Sequence, residues 1–563
     1  MPTISDVAPD RASYRPGETA HITVTLTNRQ STTVRVHLVL SLTHLDQLIE
    51  QIGQNSEIGA GATVPVVFTL TPPPTPLHGY GLDATLYDEA GLVLAAGSGA
   101  LDVLEHWSQA PRYGFLSDFA PGQSDVMARC DSLCRSHLNV VQFYDWMWRH
   151  YALLPPADAI EPGTQQSYTD ALGRRLALAT VRETIAAVQA RGAAALAYGA
   201  VYGAEPEYAD AHPELALFDD AGRRVSLAEL FYIMNIAPGS PWVPLIVAEF
   251  AQAIRALDFD GIHLDQYGFP KLAHTAAGDL VDLSTHFPPL IDAARAAVVA
   301  AKPSAGVIFN AVGNWPIETV APTTQDVVYI EVWPPDESYN DLRRLIADAR
   351  RLSANKPVIL AAYLSPFLDC APEQLAQAEA AAFLSTAVIA ASGGSQLLLG
   401  ERDGMLCDPY YPKYATLRPA FVPQLHAYYD LLVRYEEWLV APELSDWSAA
   451  SIQLSGPAGS TQAEAGRVWV IARQKPGYRI IHLINLIDQD TTDWNALRTP
   501  PTLLSNLGVS IADMPPTQQI LLVTPEAASA RPLQLLAKHD NTALKLCVPN
   551  VQTWAMLICV LKR

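Results

Sequence analysis

The spacing of apolar and polar positions changes twice along the chain. Up to about residue 105 the two kinds alternate over short runs: Ala20-His21-Ile22-Thr23-Val24-Thr25-Leu26-Thr27, then Thr33 to Leu40, then Thr63 to Leu70. Period-two alternation is the mark of strands that bury one face. Tyr14-Arg15-Pro16-Gly17-Glu18 reads as a turn, and Pro72-Pro73-Pro74-Thr75-Pro76 as a rigid connector. Short strands at regular spacing predict an immunoglobulin-like β-sandwich over residues 1–106.

From about Arg112 short apolar runs alternate with Ala-rich helical stretches, the βα signature. Eight strands are expected: Arg112–Phe119, Val140–Trp146, Ala194–Tyr202, Gly261–Tyr267, Gly306–Val312, Val327–Trp333, Val358–Leu364 and Gln396–Glu401. Helices are expected between them, among them Thr180–Ala190, Val243–Leu257, Leu290–Ala301, Asp341–Leu352 and Glu373–Ala391. Eight parallel strands with helical crossovers predict a (β/α)8 TIM barrel over residues 107–438. The stretch from Tyr202 to Asn235 is too long for a plain βα loop and is expected to act as a lid over the active face. Beyond Trp438 alternation returns at Val468–Ala472, Arg479–Leu486, Gln519–Val523 and Thr553–Leu561, predicting an antiparallel β-sandwich over 439–563. The expected molecule is multidomain, a central barrel flanked by two β-sandwiches.

Composition narrows the partner. Lys and Arg number 37 against 58 Asp and Glu, a net charge of −21, which disfavours nucleic acid and anionic membrane and suits a neutral ligand. The six cysteines show no metal-ligand spacing; Cys130 and Cys134 fall in a helical pattern, where packing as thiols is expected. No run of about 18 apolar residues stands out, so no membrane span is expected. The start, Met1-Pro2-Thr3-Ile4-Ser5-Asp6, lacks a basic and apolar leader, which leaves either a cytoplasmic protein or a secreted one whose leader has been removed.

In a barrel enzyme the polar residues that end strands carry the chemistry. The fourth strand ends His263-Leu264-Asp265, with His263 and Asp265 on one face, and the sixth ends at Glu331. Carboxylates two strands apart can meet across the axis at roughly the 5 Å spacing of a retaining glycosidase, with Asp265 as nucleophile and Glu331 as acid and base. Tyr144, Asp145 and Trp146 end the second strand; Tyr198 and Tyr202 belong to the third; Asn310 ends the fifth, Trp333 follows the sixth and Glu401 ends the eighth. These residues, with Asn235, His263 and Gln266, are the candidate contacts to sugar hydroxyls and ring faces. Competing structural roles stand beside several of them: helix capping for Asp265, Asn235 and Glu401, and core packing for Trp146 and Trp148. Asp265 and Glu331 have no partners at metal-ligand spacing beyond His263, so neither metal nor cofactor is expected.

The order of Gln142-Phe143-Tyr144-Asp145-Trp146, Ala197-Tyr198, Asp260-Gly261 to Asp265 and Gly268, Tyr329-Ile330-Glu331-Val332-Trp333-Pro334, Gly393-Gly394 to Gly400-Glu401, Leu406 and Tyr410-Tyr411-Pro412 resembles glycoside hydrolase family 66. That family holds endo-dextranases and cycloisomaltooligosaccharide glucanotransferases. The resemblance implies the same three-part layout, an α-glucan substrate, and the nucleophile and acid/base roles for Asp265 and Glu331. The glucanotransferases carry an extra carbohydrate-binding module late in the barrel. Here the interval between the seventh and eighth strands has room for one helix, which favours an endo-dextranase over the cyclising transglycosylase. His263-Leu264-Asp265-Gln266-Tyr267 departs from the best-known dextranases, which leaves the exact α-glucan open. The third alternative is a non-catalytic glycan-binding protein on the same scaffold.

Overall fold

The computed structural model describes residues 1–163, 165–410, 413–527, 529–539 and 543–562; Tyr411 and Pro412 of the late motif lie outside the described residues. The molecule is multidomain and rich in β-structure. Residues 3–103 form two antiparallel sheets. One joins Thr3–Pro9, Ala20–Thr27 and Thr63–Leu70, and the other joins Gln47–Ile58, Val34–His44, His78–Tyr87 and Val93–Val103. The alternation in the sequence is the alternation in burial: Ala20, Ile22, Val24 and Leu26 face the space between the sheets and their polar neighbours face out. Residues 445–561 form a second pair of sheets, largely antiparallel, over a core that includes Val470, Ile481, Val509 and Leu557.

Between them runs a curled parallel sheet with helices over its outer face. Its strands are β1 (Tyr113–Leu116), β2 (Val140–Phe143), β3 (Ala194–Ala200), β4 (Gly261–Asp265), β5 (Gly306–Val312), β6 (Val327–Glu331), β7 (Val358–Ala361) and β8, in two pieces, Ser395–Gln396 and Leu399–Gly400. Each pairs in parallel with the next. The first piece of β8 pairs with β7, Gln396 opposite Leu360, and the second with β1, Leu399 opposite Gly114. Tyr113, Val140, Leu196, Ile308, Tyr329, Ile359 and Leu397 meet in one buried cluster on the inner face. Trp107 belongs to that cluster and plugs its N-terminal end; a Cβ on Gly306 would lie 2.4 Å from its ring.

The strands stop sooner than the apolar runs suggest. β2 ends at Phe143 instead of Trp146 because Asp145 takes a left-handed turn, φ 49°. The helix expected from Leu290 begins at Leu283, where Asp282 caps it, and runs through Pro288 and Pro289. The segment Pro372–Ser392 is long and apolar enough to cross a membrane, contrary to the expectation from composition. It is a core helix here, with 78% of its apolar window buried. All six cysteines are free, and Cys130 and Cys134 are buried.

Buried ions rivet the N-terminal sheets to the central one. The Arg112 guanidinium bonds Asp102 at 2.7 Å and Glu436 at 3.2 Å, and Arg434 bonds Asp83 at 2.9 Å, all five groups buried. Nearby, His44 and His78 each contact one oxygen of Glu437, at 3.2 and 3.3 Å. Their rings stack within 18° of parallel, so their in-plane lone pairs do not converge on one point, and Lys475 lies 3.9 Å from the same carboxylate. The trio is a junction between domains and a poor cation cage.

Removing the Arg112 charge leaves the buried acids Asp102 and Glu436 without their cation. Arg112→Ala is expected to destabilise the protein by about 3–5 kcal/mol, read as a lowered midpoint in denaturant.

Candidate active site

The C-terminal ends of β4, β5 and β6 stand side by side. Leu264 of β4 pairs with Phe309, and Val312 of β5 with Glu331, so Asn310 sits between the two carboxylates. Its amide nitrogen donates to Asp265 Oδ1 at 2.8 Å and to Glu331 Oε2 at 2.9 Å. Those two oxygens therefore lie no more than 5.7 Å apart, the triangle limit on the two bonds. If each takes one N–H of the amide, the separation is roughly 5 Å. The orientation of the Asn310 amide follows from charge, since its oxygen would repel both carboxylates. That oxygen is buried and has no partner among the described residues.

Each carboxylate has further donors. Tyr198 gives its hydroxyl to Asp265 Oδ2 at 2.7 Å, and the Gln266 N–H also serves Asp265. Glu331 receives Tyr363 and Trp333 as well as Asn310. Burial pushes Asp265 above the ordinary carboxylate range, with the hydrogen bonds from Tyr198 and Asn310 and the charge of His150 pulling the other way. Glu331 is pushed up to about 7, first by burial and then by the charge of Asp265. One group is thus set to be an anion while the other holds a proton near neutral pH.

These residues line one cleft open to solvent. Tyr144, Tyr198, His263, Gln266 and Trp333 line it with the two carboxylates and Asn310, as the sequence suggested. Their parts differ. Trp333 is 38% exposed and presents a ring face. His263 is buried between the rings of Tyr113 and Tyr198, bonded to the Tyr113 hydroxyl at 2.8 Å, and desolvation pushes it down to about 3, so it is neutral. Gln266 is spent on the frame: its amide donates to the Asn310 and Trp315 carbonyls and its oxygen accepts from Gly268 N–H.

Other candidates stand outside the cleft wall. Trp146 is fully buried, packs on Phe259 and donates to the Tyr198 carbonyl. Tyr202 is equally buried and ties down the loop after β4 through the Phe269 carbonyl and the Tyr267 N–H. Asn235 folds back on the Ala237 N–H. Glu401 is sealed against Arg129 and Ser117. Asp145 lies behind the wall; burial pushes its carboxyl up to about 6 against the pull of His150 and Arg174.

The sequence reading did not single out Tyr267, Tyr363, Leu227 or Tyr410, which also line the cleft. Leu227 comes from the expected lid, which forms a small three-stranded sheet of Gly203–Ala204, Ser226–Leu227 and Phe231–Ile233. Tyr410 is 38% exposed and stands on a loop beyond β8. Neither lies at the end of a strand of the curled sheet, so strand alternation gives no signal for them.

Asn310→Ala removes a donor that favours the ionised form of Glu331. The Glu331 titration, followed by carboxyl-carbon NMR, is expected to move above its starting point of about 7. An unmoved or lowered midpoint contradicts the bridge.

Comparison with known proteins fits this geometry. Cycloisomaltooligosaccharide glucanotransferase of Niallia circulans is 24% identical over 703 aligned positions, covering 98% of this chain and 72% of the relative. A dextranase of Streptococcus salivarius is 22% identical over 601 positions, covering 92% of this chain and 72% of the relative. The fold is shared with a cycloisomaltooligosaccharide glucanotransferase of Paenibacillus sp., solved with cycloisomaltoheptaose, at a TM-score of 0.92 and 22% identity over 99% of this chain and 100% of that one. The family described as glycosyl hydrolase family 66 matches residues 9–558, and the chain belongs to that family of enzymes acting on glycosidic bonds.

Proposed function

We propose that the protein is a retaining, endo-acting glycoside hydrolase that cleaves α-1,6-glucosidic links of dextran. The observation that carries this reading is the single Asn310 amide nitrogen held by both carboxylates, which limits their facing oxygens to 5.7 Å. Inverting enzymes need a wider gap to admit water between their carboxyls; retaining ones need about 5–5.5 Å. Asp265 attacks the anomeric carbon and forms a glycosyl ester while Glu331 gives its proton to the departing oxygen. Ester formation removes the Asp265 charge, one of the two causes that hold the Glu331 proton. Glu331 then stays ionised after giving up its proton and is available as the general base for the water that releases the sugar. The Trp333 and Tyr410 rings flank the neutral polymer.

The scaffold fits the same reading. β8 pairs with β7 and with β1, and side chains of seven strands share one inner cluster, which supports a closed (β/α)8 barrel over 107–438. The two-sheet units then form an immunoglobulin-like domain over 1–106 and a C-terminal β-sandwich over 439–563. A cyclising transglycosylase is the second reading, favoured by the names of the relatives above. Hydrolysis is preferred because one helix, Leu375–Ser392, and short turns fill the interval between β7 and β8, with no inserted module. The 703-position alignment exceeds the 563 residues here, so that relative carries sequence this chain lacks.

Asp265→Ala is expected to abolish dextran cleavage, and Glu331→Gln to slow it by about 10²–10⁴-fold while sparing substrates with very good leaving groups. NMR of fresh product is expected to show the α-anomer, and mass spectrometry linear products; masses short by one water point to cyclisation. The activity is expected to fall on the alkaline side near pH 7, as Glu331 loses its proton, and on the acid side as Asp265 gains one. Near-wild-type hydrolysis by Asp265→Ala overturns the assignment.

A further inference from the structure

His150 is a buried titratable group that the mechanism above leaves unused. The left-handed turn at Asp145 ends β2 and leads the chain on to His150, which is 5% exposed. Glu205, just after β3, holds it twice: Glu205 Oε1 accepts from the His150 backbone N–H at 2.9 Å and faces Nδ1 at 2.9 Å. The ring is pressed on Phe231, 4.2 Å between centroids, and meets the Tyr198 ring edge-on at 6.5 Å. Tyr198 is the residue whose hydroxyl bonds Asp265.

The charges around it are unbalanced. Asp145 is buried and Asp265 and Glu331 are half-buried in one charged group, and the cations that act on Asp145 and Asp265 are Arg174 and His150. Arg174 is divided between Asp170, bonded at 2.7 Å, and Asp145, whose carbonyl it bonds at 2.6 Å and whose carboxylate lies 3.8 Å away. Burial opposes charge on His150, but the Glu205 hydrogen bond and charge, with the charges of Asp145 and Asp265, outweigh it and raise the affinity for the proton. The groups facing His150 are Glu205, Asp145, Asp265 and the rings of Tyr198 and Phe231; those facing Asp265 are Tyr198, Asn310, the Gln266 N–H, Glu331, Asp145 and His150.

We infer that His150, clamped by Glu205, is the fixed positive charge of the site, a positioning residue that keeps Asp265 ionised while Glu331 keeps its proton. The inference rests on the retaining reading, in which the nucleophile must be an anion beside a protonated acid. A carboxylate loses proton affinity beside a cation, so loss of the imidazolium raises that of Asp265. The acid limb of the pH profile then moves to higher pH.

The test is kcat/KM on dextran against pH for the full chain and for His150→Gln, His150→Lys, Glu205→Gln and Asp265→Ala. His150→Gln is expected to move the acid limb upward, with a loss of roughly tenfold on that limb and a smaller loss on the plateau. Glu205→Gln is expected to move it in the same direction, and His150→Lys to bring it part of the way back. A limb that stays in place, or a loss equal at every pH, assigns His150 a packing role and overturns the inference. If His150→Gln does not fold, Glu205→Gln decides by the same limb. Activity in Asp265→Ala overturns the retaining reading itself; a dead Asp265→Ala with an unmoved His150→Gln limb overturns this inference alone.

Discussion

One amide nitrogen governs the arrangement of the site. Asn310 can reach both carboxylates only if β4, β5 and β6 lie in adjacent, parallel register, with β5 in the middle. A slip of one residue in β5 would turn Asn310 to the outer face, under the helices. The frame guards against that slip. Gln266 clamps the backbone carbonyl of Asn310, and Ile308 below it is locked into the inner cluster. The geometry of two acids is therefore fixed by neutral groups that carry no charge of their own.

Burial turns that geometry into two different acids. The same desolvation acts on Asp265 and Glu331, but their partners differ. Asp265 takes hydrogen bonds from Tyr198 and Asn310 beside the charge of His150, whereas Glu331, bonded by Asn310, Tyr363 and Trp333, has the charge of Asp265 beside it. In water two carboxylates at this spacing would both be ionised; here the low polarity of the wall makes their repulsion count and lets the second keep its proton. The neutral His263, sandwiched between tyrosine rings beneath them, extends the wall without adding charge.

Strand positions and the two carboxylates were legible in the sequence because alternation reports burial, and inward polar residues at strand ends have few other reasons to exist. Asn310 was legible for the same reason, though not its double role. Trp146, Tyr202 and Glu401 misled because the pattern gives the end of an apolar run and not the point where the backbone turns; the left-handed Asp145 carries Trp146 out of the inner face and into the core. His150, Tyr363 and Tyr410 lie past the ends of β2, β7 and β8, and Glu205 just past β3, where neither periodicity applies. The long segment before Asn235 announced itself by length alone, and its contact with the cleft is one leucine.

The two-piece β8 has a consequence for how the chain comes together. Its second half pairs with β1, so Gly114 must find Leu399 across about half of the polypeptide. Every other neighbour in the curled sheet is joined through a far shorter stretch of chain. During synthesis the first seven strands therefore emerge and stack with two raw edges open to other chains. The search for the last partner is a long-range loop closure of the kind that slows folding. Trp107, already waiting at the floor beside β1, gives the open sheet an apolar centre to curl around until the seam shuts.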